Sequence, residues 1–386
     1  MSAIELPPAL GGLEASLPSE WYRSEEIFRL EKERIFAREW VCVGREEELA
    51  EAPSHRVLDV LGESILLLRK RDGVLRAFYN VCRHRGSRLC RAGAAPARPG
   101  DVTLPGGVGA RGIVCPYHQW TYDFDGRLLA APHLMDRPGF DRSAFGLYPV
   151  AVDTWGGFIF LNLTPGAAQP LAAQLGAAAG RLCRYPLAEL RIGSTIEYRV
   201  AANWKVICEN YNECYHCGGV HPELCALVPA FREHGGAGLD WPRGVPHRPG
   251  AYTFTSSGTS RRPAFPLLDA EERVRHKGEV FYPSLLLSLA CEHIAAFILR
   301  PRAAGHTDIS CHFLFEPAEI ARSGFDPTDA SGFWDRINRQ DWLICESVQQ
   351  GMAARVHRHG YYAPMEDCNL DMRRYVLARI GRPAAG

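Results

Sequence analysis

The chain carries no excess charge. Its 386 residues hold 44 Lys and Arg against 44 Asp and Glu, a formal net charge of zero. A nucleic-acid footprint, which needs a clustered basic surface, is therefore not expected. The basic run from Arg83 to Arg91 is short. No apolar stretch is long enough to cross a membrane, since the longest, Pro283 to Leu299, is broken by Glu292 and His293. Residues 1–20 show neither a basic n-region nor an apolar h-region. There is no internal repeat and no Gly-x-Gly-x-x-Gly dinucleotide fingerprint. Cysteine, by contrast, is plentiful. Thirteen of them, an odd count in a chain too long to need disulfide staples, are expected as metal ligands and small core hydrophobes in a reducing cytoplasm.

The pattern of residues changes along the chain. Residues 1–18 read as an irregular arm, and 19–40 as helix opened by Ser24-Glu25-Glu26. Arg56 to Asn80 is strand-like, with a hairpin signal at Asp72-Gly73. A second hairpin follows at Asp125-Gly126, and Gly157 to Leu163 is a further strand. The Gly-, Pro- and Ala-rich stretch Ala92 to Gly112 reads as an exposed insertion. Residues 166–192 look helical, 232–265 read as a long loop or lid, 284–300 and 307–316 as strands, and 331–355 and the tail to Ile380 as helices. This predicts an α+β chain in three parts. They are an N-terminal arm and helix (1–44), a small all-β domain (45–165), and a larger domain of helices over an antiparallel sheet (166–386).

Two motifs carry chemistry. Cys82-Arg83-His84-Arg85-Gly86 and Cys115-Pro116-Tyr117-His118-Gln119-Trp120 give C-x-H and C-x-x-H. Two thiolates and two imidazoles on paired loops suit a Rieske [2Fe–2S] centre, in which two Cys hold one iron and two His the other. They also suit a structural zinc site. Tight turns at Gly86-Ser87 and Pro116 favour the cluster, because they aim backbone N–H groups at bridging sulfides.

The second motif lies at Glu209 to His221. Trp204, Cys208, Tyr211 and Tyr215 fall at i, i+4, i+7 and i+11 and predict a buried helix stripe. Glu209, Glu213 and His216 fall on another face. Gly218-Gly219 would let the helix bend so that His221 swings back toward His216. Two His and one carboxylate with open positions form the facial triad of Fe(II) oxygenases. Asp341 is the candidate carboxylate, with Glu346 and Asp335 behind it. A solvated helix face is the other reading of any one of these acids.

Both motifs, in this order, resemble those of Rieske-type non-haem iron oxygenase α subunits. The interval between the two halves of the first motif is longer than that family usually shows. The resemblance implies that Cys82, His84, Cys115 and His118 hold the cluster and that His216, His221 and Asp341 hold a mononuclear Fe(II). It also implies that Glu213 is not a ligand but the acid bridging the two centres across a subunit interface, in a homo-oligomeric ring, usually a trimer. Glu at this position, within Asn-Glu-Cys-Tyr-His-Cys, resembles the branch acting on glycine betaine, carnitine and related quaternary amines.

The implied reaction uses O₂, with electrons from NAD(P)H delivered by a separate flavin- or ferredoxin-type reductase. It oxidises a C–H bond. On an N-methyl group the product is a hemiaminal that collapses to the demethylated amine and formaldehyde. A quaternary ammonium would be held by aromatic faces, for which Trp241, Tyr252, Phe254, Tyr282, Phe297 and Phe313 are candidates. Three competing readings are an aromatic-ring hydroxylase on the same scaffold, a zinc-stabilised binding protein, and a Rieske electron carrier without catalysis.

Overall fold

The computed structural model describes residues 9–91, 106–109 and 112–381. The chain divides into two compact units, one of Arg38–Leu171 and one of Met1–Ala37 with Ala172–Gly386.

The first unit is all β in its regular structure apart from short single turns. Six antiparallel strands run in the spatial order Val41–Arg45, Phe158–Asn162, Pro149–Trp155, Leu75–Tyr79, Glu63–Arg69, Ser54–Val60. Alternation explains little at Glu63–Arg69, where Ile65 to Leu68 are all buried, as expected of a central strand covered on both faces. A smaller four-stranded sheet joins Gly107–Gly109, Gly112–Val114, Thr121–Tyr122 and Leu128–Ala130. Leu66, Phe78, Ile113, Trp120, Tyr122 and Leu128 form one core, and Cys82 and Cys115 belong to it. The stretch expected as an insertion, Ala92 to Gly112, ends in regular structure. Gly107–Gly109 pairs with Gly112–Val114, and the expectation for residues 92–105, 110 and 111 lies outside the described residues.

The second unit is a six-stranded antiparallel sheet, ordered Arg191–Val200, His306–Phe315, Ile294–Ala303, Leu285–Leu289, Arg275–Phe281, Val245–Pro246. Helices Trp204–Asn212, Thr328–Gly351 and Cys368–Ile380 belong with it. The long helix Thr328–Gly351 buries Ala330, Phe333, Trp334, Ile337 and Cys345, at spacings of three, four and eight. Each large apolar side chain on that stripe contributes on the order of 1.5–3 kcal/mol through burial. The strand Glu14–Ala15 pairs with Tyr361–Tyr362, so both ends of the unit close on each other.

Three expectations need correction. Helix spans only Leu171–Arg181 of residues 166–192 and is kinked at Gly176 (φ 55°, ψ −145°); beyond it Pro186 interrupts the chain, whose Leu182, Tyr185, Leu187 and Leu190 are buried in turns instead. The 232–265 segment has little regular structure, as expected, but it is packed, with Thr253, Phe254 and Thr255 fully buried. The buried stripe over Trp204, Cys208, Tyr211 and Tyr215 stops short. The helix ends at Asn212, Glu213 is extended (φ −131°, ψ 165°), and Tyr215 is 53% exposed.

Candidate metal centres

The two Cys/His loops of the β unit share one backbone design. The Cys82 N–H donates to Ser87 O (2.8 Å) and the Gly86 N–H to Cys82 O (3.1 Å). In the second loop the Cys115 N–H donates to Trp120 O (2.8 Å) and the Gln119 N–H to Cys115 O (3.1 Å). The fifth position of each loop has positive φ, +74° at Gly86 and +58° at Gln119, which is free of strain for glycine and tolerable for a single polar residue.

The design sorts the four side chains. Cys82 and Cys115 are 3% and 2% exposed, whereas His84 and His118 are exposed, their rings 4.7 Å apart. His84 stacks on Trp120 at 4.9 Å. The Tyr122 hydroxyl accepts the Arg83 N–H (3.1 Å) and lies 3.2 Å from Cys82 Sγ. Burial raises the Cys82 thiol above its ordinary range, and the Tyr122 hydrogen bond offsets part of that. Slight desolvation by the chain around this exposed ring, then the neighbouring His118 and Arg85, lowers His84, which favours the neutral imidazole a ligand needs. Asn80 braces the first loop. Its side chain accepts the Leu89 and Cys90 N–H groups (3.1 and 2.9 Å) and donates to Cys90 O (2.8 Å).

These four ligand groups do not converge on one point. Among the described residues, only His216, His221 and Asp341 bring three such atoms within 4.8 Å of one another. A tetrahedral zinc needs all four that close. A two-iron cluster, with buried thiolates on one iron and exposed imidazoles on the other, does not.

The second centre is built by a broken helix. Asn203 caps Trp204–Asn212 by accepting the Lys205 N–H (2.9 Å), an interaction worth about 1 kcal/mol. Past the helix end, the Glu213 carboxylate folds back on its own chain. One oxygen accepts the Tyr215 and His216 N–H groups, and the other lies 2.6 Å from His216 Nδ1. Glu209, Glu213 and His216 therefore do not share a helix face. Cys217–Val220 is a short helical turn that includes Gly218 and Gly219, and the backbone turns again at His221 (φ −122°, ψ 68°).

Asp341 comes from the long helix. Its Oδ1 lies 3.3 Å from His216 Nε2 and 2.8 Å from His221 Nε2. His221 Nδ1 lies 2.7 Å from Gln340 Oε1. Both imidazoles thus turn Nε2 to a common point, and each is oriented from behind by an acceptor. Burial alone would lower the His216 pKa, but its bonds to Asp341 and Glu213 outweigh that and raise it to about 10. Burial likewise opposes ionisation of Asp341, and the two histidines overcome it and hold the carboxyl below its ordinary value. The pocket therefore stabilises a positive charge, which a divalent cation supplies in place of the proton. Glu346 and Asp335 are engaged elsewhere. Glu346 accepts the Ala201 N–H (3.0 Å), and Asp335 accepts the Tyr198 hydroxyl (2.8 Å).

A cavity of about 280 Å³ opens beside the triad, lined among others by Tyr211, Phe231, Trp241, Phe254, Trp334 and Tyr282. Of the aromatic candidates, Trp241, Phe254 and Tyr282 reach it. Tyr252, Phe297 and Phe313 are not on its lining, and Phe297 packs behind, 5.9 Å from Tyr211 and 6.1 Å from Trp334. Sequence reasoning missed Phe231, Tyr211 and Trp334 as cavity residues. Trp334 was readable, since it precedes Asp341 by seven on the same stripe. Cys214 and Cys217 also line the cavity and are joined by a disulfide, which corrects the expectation that cysteines here serve only as ligands or core. Below the site, Tyr22 and Tyr362 both donate to Glu209 Oε1 (2.7 and 2.6 Å), and Lys205 pairs with Glu31.

The comparisons with known proteins agree with this geometry. Residues 39–141 match the Rieske [2Fe-2S] domain. The glycine betaine monooxygenase oxygenase subunit of Pseudomonas aeruginosa is 31% identical over 385 residues, covering 90% of this chain and 85% of that one. The carnitine monooxygenase oxygenase subunit of Escherichia coli is 38% identical over 220 residues, covering 56% and 55%. The solved structure of the quaternary ammonium Rieske monooxygenase CntA with L-carnitine superposes with a TM-score of 0.72 at 26% identity, covering 98% of this chain and all of that one. The two domain types imply a Rieske [2Fe–2S] cluster and a mononuclear iron, with O₂ as co-substrate and electrons from a reductase. Since residues 187–382 match the catalytic domain of the ring hydroxylating α subunit, just over half of the chain, the chain belongs to the Rieske-type non-haem iron oxygenases.

Proposed function

We propose that this chain is the oxygenase component of a monooxygenase acting on a small, betaine-like quaternary amine, by N-demethylation or C-hydroxylation. The observation that carries this is the aromatic wall of the cavity beside His216, His221 and Asp341. A quaternary ammonium cannot donate a hydrogen bond, so it is recognised by aromatic rings, and Phe231, Trp241 and Phe254 line the cavity. His276, on the same wall, is driven well below its ordinary pKa by burial and then by His247 and His293. It therefore adds no positive charge to repel the substrate. Arg181 and Asn212 bring a cation and an amide to the lining for a substrate's carboxylate, Arg181 being held by Glu279 at 2.7 and 2.9 Å.

In this reading Cys82, His84, Cys115 and His118 hold the cluster, and His216, His221 and Asp341 hold the iron. When bound, the two centres supply the single-electron steps and the O₂ chemistry that the side chains lack. The chain's own part is to orient and exclude. Glu213 and Gln340 fix the imidazole tautomers, and the aromatic wall keeps water from the N-methyl groups. Glu213 would also link His216 to a cluster histidine of a neighbouring subunit in a trimer. The setting is a cytoplasm with an NAD(P)H-dependent reductase. On an N-methyl group, O₂, two electrons and two protons yield the hemiaminal and water. The hemiaminal then releases formaldehyde, a proton and the demethylated amine.

The test is turnover with a compatible reductase on a panel of betaines and a panel of aromatic acids. Formaldehyde and demethylated amine from a betaine are expected. Hydroxylated product from the aromatic acids alone would overturn the substrate class.

A further inference from the structure

The sequence Glu213-Cys214-Tyr215-His216-Cys217 places a thiol on either side of a candidate iron ligand. Both cysteines are closed to the outer surface, at 5% and 2% exposure, yet both line the cavity where O₂ and substrate would meet. Their Cα atoms are 4.8 Å apart, inside the range a disulfide needs. The backbone sets that separation without help from sulfur, because the Cys217 N–H donates to Cys214 O (3.2 Å). Neighbouring chain holds the turn in place. A Cβ on Gly236 would lie 3.1 Å from Cys214 C, Cβ and O, and the Cys225 thiol donates to Cys217 O (3.3 Å). The disulfide form coexists with convergent His216, His221 and Asp341, so closing the bond does not pull His216 away.

We propose that Cys214 and Cys217 are a reversible dithiol/disulfide pair that consumes peroxide in the cavity and so spares the His216 turn. The source of peroxide rests on the oxygenase reading above, since O₂ that takes up two electrons and two protons without oxidising substrate becomes hydrogen peroxide. One thiol gives up its proton and attacks the peroxide as thiolate, becoming a sulfenic acid, and the departing hydroxide takes up that proton to give one water. The second thiol displaces hydroxide from that sulfur, forming the S–S bond and a second water. Two thiols lose two electrons, and one peroxide gains them. A small or protein dithiol then reduces the pair by exchange.

The experiment adds hydrogen peroxide directly to the full-length, iron-loaded protein after reduction, with no turnover, so it stands apart from any question of substrate. Alkylation and peptide mass spectrometry follow each cysteine, with exposed Cys183 as the internal reference. The expected result is that the 214–217 peptide loses two hydrogens and both alkylation sites before Cys183 reacts, and that dithiothreitol restores them. In Cys214→Ser, Cys217 should go on to sulfinic acid, and the capacity to rebind one ferrous ion per chain, titrated with a chelator, should fall several-fold faster than in the wild type. Oxidation of Cys183 while the pair stays reduced would overturn the proposal. So would equal loss of ferrous binding in the wild type and in the Cys214→Ser/Cys217→Ser variant. A chain that oxidised no betaine but passed this test would fail only the substrate reading.

Discussion

The two centres are supported in opposite ways. The cluster loops are held by backbone hydrogen bonds and neutral side chains, chiefly Asn80, Tyr122 and Trp120. Arg83 adds a charge, donated to the carbonyls of Gly146 and Ala144. His216, His221 and Asp341, the residues we assign to the iron, rest mostly on ionisable groups, the neutral Gln340 behind His221 being the exception. Glu213 and Asp341 touch the histidines, and Glu209, Lys205 and Glu31 lie beneath. A centre that only relays electrons needs ligands fixed and otherwise undisturbed. A centre that must take up a dication, O₂ and protons sits among groups whose charge can respond.

The largest break in that comparison is Asp341→Ala. It should abolish turnover and lower iron from about three to about two per chain, with the Rieske visible spectrum unchanged. Iron and sulfide analysis beside an absorbance scan decides it, and full iron with full activity would remove Asp341 from the ligand set. Glu213→Ala comes next. With ferrous iron in excess to offset the lost acceptor behind His216, both metals should stay while multiple-turnover rate falls by orders of magnitude, which steady-state and single-turnover assays separate. Normal multiple turnover would argue against a bridge. Gln340→Leu should be milder, because it removes only the acceptor behind His221. Ferrous affinity should fall about 10–100-fold, read by chelator competition, with cluster content intact.

The smallest effect concerns the buried acid under the site. Burial pushes the Glu209 carboxyl up to about 7, although Tyr362, Tyr22 and Lys205 oppose the shift. The folded chain therefore holds a proton that the unfolded chain releases near the ordinary value of 4.5. Its stabilising contribution is complete below that pH and is lost as pH rises through about 7. Glu209→Gln keeps an acceptor for both tyrosines. It should flatten the stability profile across this window and raise the Tm at pH 8 by a few degrees, as calorimetry would show. An unchanged profile would mean that Glu209 does not titrate there.

Legibility in the sequence follows the same division. The cluster loops could be read because each design fits within six residues, with ligands, turn and positive-φ position all local. His216 and His221 could be read for the same reason. Asp341 was placed by the resemblance alone, since residue pattern by itself favoured a solvated face; the helix buries Ala330, Trp334, Ile337 and Cys345, and half-buried Asp341 falls in register with them, beside His216 and His221. The end of the helix at Asn212 could not be read. No Gly or Pro marks it, and the spacing through Tyr215 stays helical. What ends it is Glu213 folding onto the amides of Tyr215 and His216, a contact that no propensity encodes. The role of Gln340 was hidden because it depends on an imidazole more than a hundred residues earlier. The pairing of Glu14–Ala15 with Tyr361–Tyr362 was hidden for the same reason.

That pairing also bears on how the chain is made. The β unit is continuous, and its last residue leaves the ribosome at Leu171. Its host is split. Tyr22 must wait for Tyr362 before both can close on Glu209, and His216 must wait for Asp341. Domains generally fold as units during synthesis, N-terminal parts first. The nascent chain therefore completes the Cys82 and Cys115 loops long before His216 and His221 can meet Asp341.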